Sequence, residues 1–161
     1  MSNQKELMIK MVVDAWNGQL ARATKLFNEL KDEQIENETA PGRNTGTYLL
    51  GHLVAVHDAL FPLMGTGQKL YANLEEVFLK NPDKSGLEKP SIKDLRNYWN
   101  EVNKEMQKQF GQFAVDEWLQ KHTVISAEDF SKEPHRNRLN VLISRTNHLA
   151  YHLGQLAYLK K

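Results

Sequence analysis

The chain contains no cysteine. That absence removes disulfides, thiolate metal ligands, iron–sulfur clusters and a cysteine nucleophile together. It also removes any need for an oxidising compartment, and the start, Met1-Ser-Asn-Gln-Lys5, lacks the short apolar stretch of an export signal. Both point to the cytoplasm, where the Asn37-Glu-Thr39 sequon would stay silent. No uninterrupted apolar run approaches the roughly 20 residues that cross a bilayer, so no membrane role is expected. Charge of one sign is lacking too. The 21 basic and 20 acidic side chains give a net charge of +1, without the basic stripe of a nucleic-acid binder. The densest basic group, Lys132, His135, Arg136 and Arg138, is broken by Glu133 and Pro134 and reads as a solvated connection. Nucleic acid is not an expected partner. There is no Gly-x-Ser-x-Gly, no phosphate-binding glycine loop and no Glu-x-x-His, which excludes the nucleophile elbow, the common nucleotide sites and the carboxylate-bridged di-iron bundles.

What is present is helical periodicity in a chain of 161 residues, a length that suits one domain over residues 1–161. Val12, Trp16, Leu20, Ala23, Phe27 and Leu30 recur at spacings of three and four, predicting a helix from about Lys5 to Lys31. The polar stretch Asp32–Glu38 and Ala-Pro-Gly at 40–42 end it. A second helix, capped by Asn44 or Thr45, should run to Leu63 with Leu49, His52, Val56 and Ala59 on one face. Lys69–Leu79 reads as a short helix inside a connection too long for an up-and-down bundle, which suggests a crossover. Ser91 followed by Asp94 marks a third start, with an apolar stripe from Ile92 to Phe113. Short turns are expected near Asp116–Gln120 and Ala127–Lys132, the latter capped by Ser126. The fourth helix, Arg138 to Leu159, carries Leu142, Leu149, Leu153 and Leu156 and is apolar around much of its circumference. It is therefore expected in the middle of the domain. The fold class is all-α, a four-helix bundle with long crossover connections.

Six histidines stand at 52, 57, 122, 135, 148 and 152. His148 and His152, four apart on a helix, are separated by about 40° around the axis and about 6 Å along it, so two imidazoles can meet one ion. Leu149 occupies the position where a zinc protease carries its glutamate, which excludes that chemistry. Arg145 and Gln155 share the face and are candidates to hydrogen-bond the ligand rings or to line the pocket. His52, in the middle of an apolar helical face, is the third candidate ligand, because bundles build metal sites from facing side chains. His57, about 140° from His52 around the same helix, cannot share that ion and is assigned to structure or surface. His122 and His135 are expected to face solvent. Three imidazoles leave a position open for water or substrate. Imidazole suits zinc, nickel, iron and copper alike, so ligand type does not choose the metal.

Tyr48-Leu-Leu-Gly-His52-Leu, Asn147-His148-Leu-Ala-Tyr-His152-Leu-Gly-Gln155-Leu and the Pro-Gly turn before the second helix resemble the DinB-like (DinB/YfiT) superfamily over essentially the whole chain. The resemblance implies a four-helix bundle with a crossover, a divalent metal held by His52, His148 and His152, and a homodimer. Zinc or nickel leads among its expected occupants, with iron or manganese behind. Many members read His-Arg-Gly-Gln at the second histidine of the pair; Leu153 replaces that arginine here. Characterised members include low-molecular-weight thiol transferases and a maleylpyruvate isomerase. The resemblance thus implies a metal-dependent enzyme, a thiol S-transferase or a hydrolase, with a small-molecule substrate and a low-molecular-weight thiol as partners. The alternative is a non-catalytic, stress-related bundle that binds metal and a small molecule. A third reading is a purely structural bundle whose histidines are satisfied by hydrogen bonds and water.

Overall fold

The computed structural model describes residues 2–160, with side chains from residue 4 onward. It is helical, and no strand occurs among the described residues, only two isolated bridges, Glu38 to Thr45 and Lys121 to Asn137. The elements are α1 (Ser2–Glu29), α2 (Asp32–Ile35), α3 (Gly46–Asp58), α4 (Leu60–Met64), α5 (Leu74–Phe78), α6 (Ile92–Phe110), α7 (Val115–Trp118), α8 (Ala127–Lys132), α9 (Arg138–Leu156) and a closing 3₁₀ turn, Ala157–Leu159.

The caps fall largely where hydroxyls and amides were available. The Tyr48 amide donates to Thr45 Oγ1 at 3.1 Å, which settles the choice between Asn44 and Thr45. The Asp94 amide donates to Ser91 Oγ at 3.0 Å, and the Asp129 amide to Ser126 Oγ at 3.0 Å. Each satisfies a donor left without an intrahelical partner. The second helix is divided at Ala59. Pro62 has no amide hydrogen to give to the carbonyl four residues back, and the ladder resumes with the Leu63 amide on Ala59 O at 3.4 Å. The polar stretch after α1 contains the single turn α2, which buries Ile35 completely. The helix expected over 69–79 is shorter, only Leu74–Phe78. Upstream of it, the buried carboxylate of Asp58 accepts the amides of Leu70 and Tyr71 at 2.7 and 2.8 Å, so the chain there is held by a side chain. A carboxylate receiving two backbone donors replaces helical hydrogen bonding at that point.

Contacts between the long helices set their relative directions. Along α1, Asn17 meets Gln107, the hydroxyl of Thr24 accepts from Trp99 Nε1 at 2.9 Å, and the Leu30 carbonyl accepts from Arg96 at 2.7 Å, so α6 runs against α1. Met11 and Ala15 lie beside Ile143 and Asn147, and Glu29 pairs with Lys160, so α9 runs with α1. Trp16 packs on His57 with ring centroids 4.9 Å apart, which brings α3 against α1.

Which helix is central differs from the expectation. α9 buries Leu142, Leu149, His152 and Leu156, while Ile143, Tyr151 and Tyr158 are exposed. α3 takes the middle instead, buried at eleven of its thirteen positions. Two glycines let it be approached so closely. A side chain at Gly51 would begin 2.3 Å from the Phe78 ring, and one at Gly46 would begin 2.6 Å from the Ile35 carbonyl. Gly46–Met64, 19 residues taken together, also has the length and composition to cross a membrane, yet most of that span is buried inside the protein. His52, His57 and Asp58 interrupt it: His52 ties it to α5 and α9, His57 to α6, and Asp58 to the chain at Leu70 and Tyr71.

Candidate metal centre

Three histidines from two helices come together where α3 faces α9. His52 Nε2 lies 3.2 Å from His148 Nε2, and His152 Nε2 lies 3.1 Å from the same atom. One nitrogen from each of the three falls within 4.8 Å of the others. His152 is buried, and His52 and His148 are partly buried. The helical spacing on α9 brings the pair onto one face, and α3 supplies the third ring because Phe78, packed on Gly51, presents its carbonyl beside His52.

The outward nitrogens decide what the inward ones can do. His52 Nδ1 is 2.9 Å from the Phe78 carbonyl, which can only accept, so Nδ1 carries the hydrogen and Nε2 keeps a lone pair. His152 Nδ1 is 2.7 Å from Gln155 Oε1, which fixes the same tautomer. Both lone pairs point at His148 Nε2. A neutral His148 has at most one hydrogen there, and its Nδ1 is buried with no partner. The trio therefore presents one more acceptor than its own hydrogens satisfy. Protonation is disfavoured as a remedy. Burial, followed by the charges of His152, His52 and Arg145, pushes His148 down to about 4. Burial also lowers His152, against the opposing pull of Gln155. Imidazole nitrogens bound to one zinc at 2.0–2.1 Å in a tetrahedral array stand about 3.3 Å apart. The two close separations match that, so the donor set fits a divalent ion.

Gln155 is thus placed beside a ligand ring, as expected, and its amide also donates to the Tyr151 hydroxyl at 3.3 Å. Tyr151 sits 5.1 Å from the His152 ring, and with Gln155, Tyr158 and Arg43 it walls an open groove of about 500 Å³. Sequence reasoning missed these tyrosines and Arg43. The one available signal was Tyr151 lying between the two histidines of the pair. Arg145 lies one turn before His148 and lines a different cavity, described below.

The remaining histidines separate. His57 is fully buried between Trp16 and Trp99, with Nδ1 2.7 Å from Asn103 Oδ1, so its role is structural and the surface alternative is excluded. Desolvation drives it down to about 3. His135 is exposed, as expected. His122 is not: it is partly buried, its Nδ1 lacks a partner, and it faces the same cavity as Arg145. The Thr123 amide and hydroxyl both bond the Leu63 carbonyl, at 3.0 and 3.2 Å, and draw the loop inward. The basic group splits likewise. Lys132 pairs with Glu128 on the surface and Arg136 with Glu133, while Arg138 stacks on Phe113 at 5.0 Å.

Comparison with curated proteins returned no match. The family model described as the DinB superfamily matches residues 15–156, a span that contains all three histidines, the second half of α1 and the whole of α3, α6 and α9. The chain belongs to the DinB superfamily.

Proposed function

We propose that this protein is a metal-dependent enzyme of the thiol S-transferase or hydrolase type, in which His52, His148 and His152 hold one divalent ion. Zinc or nickel is the leading occupant, iron or manganese the next. One observation carries the reading: the Phe78 carbonyl and the Gln155 amide fix two tautomers whose lone pairs converge on a third imidazole with no hydrogen to serve both. Polar groups left in that state inside a protein cost free energy. A bound divalent ion would lower the pKa of a thiol or water at its open position and so supply a nucleophile near neutral pH. The residues of the chain orient that position. Phe78 and Gln155 hold the rings and their tautomers, and such partners are worth 10–100-fold in metal affinity. Tyr151, Gln155 and Tyr158 wall the groove in which a small-molecule substrate or low-molecular-weight thiol would lie.

The same reading takes the four long helices as one bundle. α3 starts at Gly46 beside Ile35, just past the end of α1, and reaches Trp16 at His57. α3 and α6 therefore both run against α1, and the chain between them crosses back along the length of the molecule. It takes the protein as a homodimer, supported by the exposed Met11 on α1 and Ile143 on α9, which line an apolar groove, and by Leu7 and Met8, exposed earlier on α1. It places the protein in the cytoplasm, in keeping with the absence of cysteine.

Elemental analysis of untagged protein tests the metal. We expect one ion per chain in the wild type and none in His148→Ala, with a zinc-dependent rise in melting temperature that the variant loses by mass action. A wild type that neither carries nor takes up metal would refute the reading. Turnover across a panel of thiols and electrophiles tests the enzyme, and unchanged turnover in His152→Ala would remove it. A non-catalytic metal- and ligand-binding role is the second reading. It is favoured by the absence of a carboxylate in the three-histidine cluster among the described residues, so that no general base is evident. Retained metal and ligand capture without turnover would establish it.

A further inference from the structure

A cavity of about 190 Å³ lies over the first two turns of α9, walled by Arg145, Asn140 and Ser144 of α9, Arg136 and His122 of the preceding connection, and Leu63. That volume is below the roughly 300–1,000 Å³ of sites that enclose a whole ligand. It suits one functional group. Two arginines and a histidine face it, and no carboxylate lines it among the described residues. In a chain with nearly as many acids as bases the lining is locally cationic. Arg136 already holds Glu133 at 3.0 Å through Nη1 at the rim. Arg145 has neither a hydrogen bond nor an ion pair among the described residues, and its Nε is buried without a partner, as is Nδ1 of His122. Arg145 as a whole is partly buried, and arginine is rarely withdrawn from solvent without a partner. The positive end of the α9 dipole adds to the field at the same place. Asn140 and Ser144 contribute neutral donors one and two turns into the helix.

We propose that this cavity is the subsite for an anionic group, a carboxylate or a phosphate, of the small molecule that reacts at the three-histidine centre. Arg145 joins the two. It lines the cavity, precedes His148 by three residues, about 4.5 Å along the axis, and its charge bears on both His148 and His57. An anion held there by a planar guanidinium fork would be oriented as well as bound, and its reactive end would extend along α9 toward the histidines. The anion site stands on the cavity alone. Its role as a substrate subsite rests on the metal reading given above, and the experiment separates the two.

Metal-free protein is titrated with succinate and with inorganic phosphate, followed by amide chemical shifts, with neutral succinamide as control. Binding is expected near 1 mM, with shifts centred on Arg145, His122 and Asn140 and none from succinamide. Arg145→Gln and, from a separate segment, Arg136→Gln should each weaken binding at least about tenfold, as for a lost charge-assisted hydrogen bond. Stoichiometric cobalt(II) uptake by each variant shows that the fold survives. With cobalt(II) bound, the wild type should speed the phosphorus relaxation of phosphate, and Arg145→Gln should not. Equal binding of succinate and succinamide, or unchanged affinity in both variants, overturns the anion site and leaves the metal reading standing. Anion binding without relaxation enhancement in the cobalt protein overturns the substrate role, as does anion binding in a wild type that takes up no cobalt.

Discussion

Acid should destabilise this protein through His57, and the size of the effect follows from its surroundings. The ring has no exposure, lies between Trp16 and Trp99, and bonds only Asn103. Desolvation holds it to about 3 in the folded state, against an ordinary histidine value near 6.5 in the unfolded chain. Because the folded value is the lower, the unfolded chain takes up a proton that the native protein refuses. The contribution is therefore complete above about pH 6.5 and is lost progressively as the pH falls toward about 3. At about pH 5 the linkage relation makes the loss about 2 kcal/mol, a large part of a typical domain's stability. The assay is urea unfolding of metal-free wild type and His57→Leu at about pH 7.5 and at about pH 5. Every other ionisable group is common to both proteins, so the difference between the two isolates this one. The wild type should lose about 2 kcal/mol more than the variant over that interval. Parallel losses would refute the reasoning, since a ring free to take its proton in the folded state contributes nothing to the slope.

Three further outcomes follow from single contacts. Gln155→Ala removes the acceptor that fixes the His152 tautomer, and zinc competition with a chelator should show affinity lower by about 10–100-fold with little change in the metal-free melting temperature. Gly51→Ala would place a methyl group 2.3 Å from the Phe78 ring. It should cost about 1–3 kcal/mol in denaturant unfolding, and zinc affinity should fall with it because Phe78 also holds His52. Met11→Asp puts a charge into the exposed apolar strip of α1 and α9; light scattering is expected to report a dimer for the wild type and a monomer for the variant.

Much of this was legible along the chain. The stripe of Trp16, Leu20, Ala23 and Phe27 is buried as the periodicity required, and Ser91 and Ser126 cap where they were expected. The i, i+4 pair on α9 made His148 and His152 neighbours before any fold was known, because that geometry belongs to the helix itself. Less was legible where a side chain replaces regular hydrogen bonding. Asp58 holds the backbone at 70 and 71, and nothing in local propensity announces a contact made across twelve residues.

The burial of α3, and the exposure of much of α9, depended on which helices faced which. Composition alone had favoured α9 for the centre, but two glycines on α3 admit Ile35 and Phe78 at distances no larger residue allows. The same distinction separates the histidines. Residue types and spacing identified 52, 148 and 152, whereas only the packing of α5 on α3 put a carbonyl behind His52 and so turned its lone pair inward. The bonds of Thr123 to the Leu63 carbonyl likewise brought His122 and Arg145, 23 positions apart in the numbering, onto one cavity. Periodicity is a property of one helix and can be read from its residues. Facing, closeness and desolvation are properties of pairs of helices, and they exist only once the chain has folded.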